Sequence, residues 1–204
     1  MRKEKGGSNA VPAPTGPTTE LDVRRSGFVM KKWFSVLGWI LIGGLLLAVP
    51  IGFHYLDRWG AEACTRSGKA LVNRKEYAQA IDHFNRAIEV DPTYAPAYDG
   101  RGVAYLNQGE QDRAIVDLSE AIRLDPSDAR AQYHRGVAYS RSGDYDRALA
   151  DFGEAIRLSP GSANAYLARS WVYAKKGDDA QAKADRQKAV ELDPALEKSE
   201  EGNP

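Results

Sequence analysis

The chain has 204 residues, 28 of them basic and 28 acidic, so it carries no net charge at neutral pH. That length allows one or two domains, and the charge balance excludes a nucleic-acid binder that works through a broadly basic face. One cysteine, Cys64, excludes an internal disulfide framework.

The charge is unevenly divided. Seven basic residues (Arg2, Lys3, Lys5, Arg24, Arg25, Lys31, Lys32) and three acidic ones (Glu4, Glu20, Asp22) precede Trp33, which leaves 21 basic against 25 acidic beyond it. Residues 1–32 read as a disordered basic tail. Gly6 to Thr19 is rich in Gly, Pro, Ser and Thr, and burial of so few apolar groups cannot offset chain entropy.

Trp33 to Phe53 then runs for 21 residues without a charge. As a helix it would extend roughly 31 Å, the depth of a bilayer's hydrocarbon core. It reads as a transmembrane helix that is not cleaved. A signal peptide would have a short basic start, a shorter apolar core and a small-residue cleavage site, whereas 32 residues precede this run and Ala61-Glu62-Ala63 lies well past it. Arg24, Arg25, Lys31 and Lys32 place the N-terminus in the cytoplasm and the chain beyond Phe53 on the other side, the periplasm in a bacterium. Gly44, Ala48 and Gly52 stand four apart, a small-residue stripe that would let two such helices meet as a homodimer. Residues 54–60 read as a juxtamembrane link.

Beyond the link the chain repeats itself. Tyr98 to Pro126 recurs 34 residues later as Gln132 to Pro160, and Pro92, Pro126, Pro160 and Pro194 fix the phase. A period of that size signals a stack of supersecondary units. Four copies tile residues 61–194, bounded as 61–94, 95–128, 129–162 and 163–196, with a polar tail over 197–204. Each copy reads as two antiparallel helices. Gly109, Gly143 and Gly177 suit the left-handed position that ends the first helix, and each proline ends the second.

Small and large positions interlock. In the second copy Gly102, Ala114 and Ala121 let the helices approach, and Tyr98, Tyr105 and Leu118 fill the gaps; Gly136, Tyr139, Ala148, Phe152 and Ala155 follow suit in the third. This pattern resembles the tetratricopeptide repeat over about two-thirds of the chain. The resemblance implies an all-α, right-handed superhelical solenoid of four helix hairpins, here preceded by the transmembrane helix. Arg186 stands where the first and third copies have Phe84 and Phe152, which reads as a last helix that caps itself.

Comparing the copies isolates one charged pair. Arg101, Arg135 and Arg169 share a position, as do Asp117, Asp151 and Asp185, and the first copy changes both together, to Ser67 and His83. The joint change favours an internal Arg–Asp brace in each hairpin over a basic ladder for a ligand.

In the family the first helices line a concave groove that binds protein segments. By that analogy Lys69, Val103, Val137 and Trp171 form one lining column; Thr65, Asp99, Tyr133 and Leu167 form a second; Asn73, Asn107, Arg141 and Lys175 form a third; and the apolar strip is strongest around Tyr133, Val137, Leu167 and Trp171. An extended or helical peptide with apolar anchors and an acidic group would suit it. Some family members clamp a partner's C-terminal carboxylates with a Lys, Asn, Lys and Arg set. Here Thr65, Lys69, Gly100, Arg130 and His134 hold those places, and Thr65 with Gly100 breaks the pattern.

No catalytic, metal or cofactor motif stands beside the repeats: His54, His83 and His134 are scattered, and no phosphate-binding loop or metalloprotease signature occurs. The whole reads as a membrane-anchored scaffold holding partner proteins in its groove during cell-envelope assembly. The alternatives are a cytoplasm-facing receptor and a non-catalytic regulatory subunit of a membrane complex.

Overall fold

A computed structural model describes residues 57–198, all of them in the compact unit that follows Gly52. The described chain is helical throughout. Helix α1 covers 57–73, followed by α2 (Tyr77–Val90), α3 (Ala95–Gln108), α4 (Gln111–Leu124), α5 (Ala129–Ser142), α6 (Tyr145–Leu158), α7 (Ala163–Lys176), α8 (Asp179–Leu192) and a one-turn α9 (Ala195–Lys198). Helices α2 to α8 are each 14 residues long, so the sequence period is also the structural one.

The helix stops are where the glycines and prolines place them. Gly109, Gly143 and Gly177 take φ of 81°, 85° and 83°. Each lies in a closing turn in which the next residue's N–H reaches back five residues, as from Glu110 to the Tyr105 carbonyl at 2.9 Å. In the first hairpin the same turn closes from Glu76 to Leu71 at 3.0 Å, with Lys75 in the left-handed position at φ 65°. Asp91, Asp125, Ser159 and Asp193 leave the helical region ahead of the prolines.

Close approach requires glycine inside the hairpins. A Cβ at Gly102 would sit 2.7 Å from Leu118, and one at Gly136 would sit 2.8 Å from Phe152. The Phe84 ring is pressed between two such glycines, Gly68 of α1 and Gly100 of α3, with Cβ positions 2.8 and 2.3 Å away. Leu118, Phe152, Phe84 and Val172 are fully buried, each side chain stabilising the fold by about 1.5–3 kcal/mol.

Among the described helices, α3 touches α5 and α5 touches α7, while α2, α4, α6 and α8 touch only their chain neighbours. The first helices of the hairpins therefore form an inner layer and the second helices an outer one, which is the geometry of a repeat solenoid of about eight helices.

Helix α1 is already under way at residue 57, within the stretch 54–60. One expectation changes. The single-pass localisation is corrected: no helix among the described residues is long and apolar enough to cross a membrane. A helix of 14 residues spans roughly 21 Å against about 30 Å of hydrocarbon. The apolar run 33–53, the stripe Gly44, Ala48 and Gly52, the tail 1–32 and residues 199–204 lie outside the described residues.

Candidate functional site

The three arginines singled out by comparing the repeats face inward. Arg101 donates to both carboxylate oxygens of Asp117 at 2.7 and 2.8 Å, Arg135 to Asp151 at 2.8 and 2.8 Å, and Arg169 to Asp185 at 2.7 and 2.8 Å. The aspartates are buried, and their hydrogen bonds hold each guanidinium above its ordinary pKa although burial pulls the other way. These are braces and leave no charge over for a ligand. The remaining nitrogen does what the sequence comparison did not foresee. It reaches the outer helix of the preceding hairpin, from Arg101 to Asn85 Oδ1 at 2.7 Å and from Arg135 to Ser119 Oγ at 3.2 Å. At the third seam the equivalent residue is Gly153, with no side chain to accept.

On the inner layer, α1, α3 and α5 enclose a cleft of about 280 Å³. Lys69, Val72 and Asn73 form one wall, Asp99, Gly100 and Val103 the floor, and Arg130 and His134 the far wall. The floor is open because Gly100 has no side chain, and the Phe84 ring beneath it leaves no room for one. Asp99 is 4% exposed, and its Oδ1 lies 2.6 Å from His134 Nδ1. An ionised carboxylate only accepts, so Nδ1 carries the proton. Arg130 is steered by Asp128, which accepts from its backbone N–H at 2.9 Å and its guanidinium at 3.1 Å. Burial pushes the Asp128 carboxyl up, but these bonds outweigh it and hold the group below its ordinary value. A second cleft of about 240 Å³ opens on the other side of the same two residues, between Arg130, Tyr133 and His134 and a polar wall of Ser159, Ser162 and Asn164.

The candidate lining residues separate by environment. Lys69, Asn73 and Val103 come together in the first cleft, and Tyr133 lines the second. Val137 packs into the cores of the second and third hairpins. Tyr133 rests on the Phe152 ring, its phenol pushed up by burial. Asn107 bonds back to the Val103 carbonyl at 2.8 Å, and Arg141 reaches the Leu106 carbonyl at 2.7 Å, satisfying the end of α3. Leu167 is half-buried. Trp171 is 49% exposed, edge-on to Tyr145 and covered on one face by the Lys175 ammonium 5.0 Å from the ring centre. The cleft that gathers Lys69, Asn73 and Val103 therefore lies between the first three hairpins, and Trp171 does not line it.

Arg130 and His134 were absent from the lining columns, and Asp99 stood in one without its partner. The signal was present at a different offset: Asp99 pairs with a residue 35 positions on, in the next hairpin. One copy earlier the same positions hold Thr65 and Gly100. Thr65 is 3% exposed, and its hydroxyl is the one fully buried side-chain polar atom without a partner among the described residues.

Three family models tile this part of the chain. The TPR repeat model matches 68–109 and 104–143, and tetratricopeptide repeat models match 129–162 and 163–196. The chain belongs to the tetratricopeptide repeat family. Members of the family act as protein–protein interaction scaffolds, and no catalytic family is indicated. Among solved structures, the crystal structure of MamA is 29% identical with a TM-score of 0.61, over 68% of this chain and 81% of that one. The Arabidopsis OM64 TPR domain is 25% identical with a TM-score of 0.56, over 58% and 98%. The first TPR of Spaghetti (RPAP3) bound to HSP90 peptide SRMEEVD is 21% identical with a TM-score of 0.57, over 59% and 95%, a likeness of fold alone. No curated protein matches.

Proposed function

We propose that this tetratricopeptide repeat protein is a scaffold that holds an extended or helical segment of a partner protein in the inner-layer cleft, with an apolar side chain against Val72 and Val103 and an acidic group between Lys69 and Arg130. The cleft itself carries this reading. It is concave and open, small and apolar groups line it beside Asp99, and its rim is cationic. Lys69 has no ion-pair partner among the described residues, so it keeps its charge available at the rim. Oppositely charged groups across such an interface fix register and select partners.

The test uses peptides selected from a random library on the full chain. Lys69→Glu reverses a half-exposed rim charge and is expected to weaken the selected peptides by about tenfold or more. Val116→Arg, on the outer layer where Val116 is strongly exposed, is expected to leave them unchanged. Equal effects of the two variants would sink the assignment to this cleft.

A further inference from the structure

Two clefts meet at His134, and of its neighbours only Asp99 reaches the imidazole with a hydrogen bond. We propose that His134 is a specificity-determining residue that makes capture proton-dependent, so that partner segments carrying an acidic side chain bind more tightly as the pH falls. This rests on the scaffold reading above and adds the regulation of the same cleft.

The two ring nitrogens have different tasks. Asp99, anchored in α3, accepts the Nδ1 proton of His134 from α5, which fixes the tautomer and stops the ring from turning. Nε2 has no partner among the described residues. In the neutral ring Nε2 presents a lone pair, which accepts a donor and repels a carboxylate. Protonated, it presents an N–H and a positive charge, and the same atom attracts a carboxylate. One proton therefore inverts the polarity of the cleft wall at that point.

Asp99 is the one acidic group bonded to the ring, and no second residue type around it changes charge in the same pH range. The charged or titratable groups facing the ring are Asp99 from α3, Lys69 across the cleft on α1, Arg130 with its partner Asp128 at the start of α5, and Tyr133 edge-on at 5.6 Å. On the α6 and α7 side the wall offers Ser159, Ser162 and Asn164, none of which titrates. Among all these residue types only histidine changes charge between about pH 5 and 8. The other hairpins have no such device, since Arg66, Gly100 and Ala168 occupy the corresponding position.

The experiment measures the selected peptides by fluorescence anisotropy on the full chain at about pH 5.5 and about pH 8, a range in which Asp and Glu side chains of a peptide stay ionised. Circular dichroism at both values confirms the fold. An acidic peptide is expected to bind wild type about tenfold more tightly at the lower pH. A copy with its acidic residue changed to Ala is expected to show no gain. His134→Gln, which can still donate to Asp99, is expected to bind weakly at both pH values, and His134→Arg, permanently charged, tightly at both. A flat wild-type profile overturns the proposal, as does a His134→Gln profile that keeps its slope. If the library yields no peptide sensitive to Lys69→Glu, the scaffold reading of the cleft falls and the proton dependence with it. Peptides that obey the Lys69 test but ignore pH overturn the proton dependence alone.

Discussion

The first hairpin and its three successors share one backbone and hold it by different means. The second, third and fourth hairpins close with a glycine and are pinned by a bidentate Arg–Asp pair. The first closes with Lys75, has Ser67 and His83 in place of the pair, and wedges the Phe84 ring between Gly68 and Gly100. It also leaves the Thr65 hydroxyl unpartnered. A fold set by spacing tolerates such exchanges, because the period decides where helices stop and which faces meet, and several side-chain solutions fill the same interface. The first hairpin pairs a tight apolar wedge with local backbone strain. The others pair an ionic brace with relaxed turns.

The difference can be broken most severely at the brace. Arg135→Leu leaves Asp151 buried beside an apolar side chain, and an uncompensated buried charge is expected to cost about 3 kcal/mol. Adding Asp151→Leu should recover most of that loss, as read from thermal midpoints. No recovery would mean that Arg135 acts mainly through its reach to Ser119. The contrast can be sharpened at the third seam. Gly153 has open space for a Cβ, with Arg169 the nearest group at 3.9 Å. Gly153→Ser restores the acceptor present at Ser119 and removes a glycine from mid-helix, for an expected gain of about 1 kcal/mol in denaturant unfolding. The smallest effect is expected at Lys75→Gly. It relieves a side chain at positive φ but frees the unfolded chain, so the net gain is about 0.5 kcal/mol. A loss there would show that Lys75 makes a stabilising contact its backbone angle does not reveal.

The repeat part of the fold was legible in the sequence, because glycine and proline mark helix ends by local sterics and the four copies check one another. The braces were legible for a similar reason: a pair that changes together across copies is in contact. The cleft was legible only in part. Periodicity tells which way a side chain points from its helix, but not whether the next hairpin covers it. Val137 and Trp171 share a column, yet one packs into two cores and the other lies open, because a further hairpin follows that of Val137, whereas among the described residues only the single turn of α9 follows α8. Arg141 could not be separated from a groove cation by sequence, since its partner is a backbone carbonyl, which has no residue identity. The contact between Asp99 and His134 escaped because its two members belong to different copies. A comparison made within each repeat misses contacts made between repeats.

The outward reach of the braces has a mechanical consequence. Arg101 and Arg135 each clip three helices together, so the first and second seams are cross-linked by a side chain as well as by packing. The third seam lacks that clip at Gly153 and is tied instead by the exposed Lys176–Asp146 pair between α7 and α6. Two joints are bolted between the helices, and the last is latched only at the surface, where solvent and salt weaken an ion pair, so the stack bends there first. Elastic compliance is thereby concentrated at the Trp171 end, while the Lys69 to His134 end keeps its spacing. A long partner would meet a rigid seat first and an adjustable grip afterwards.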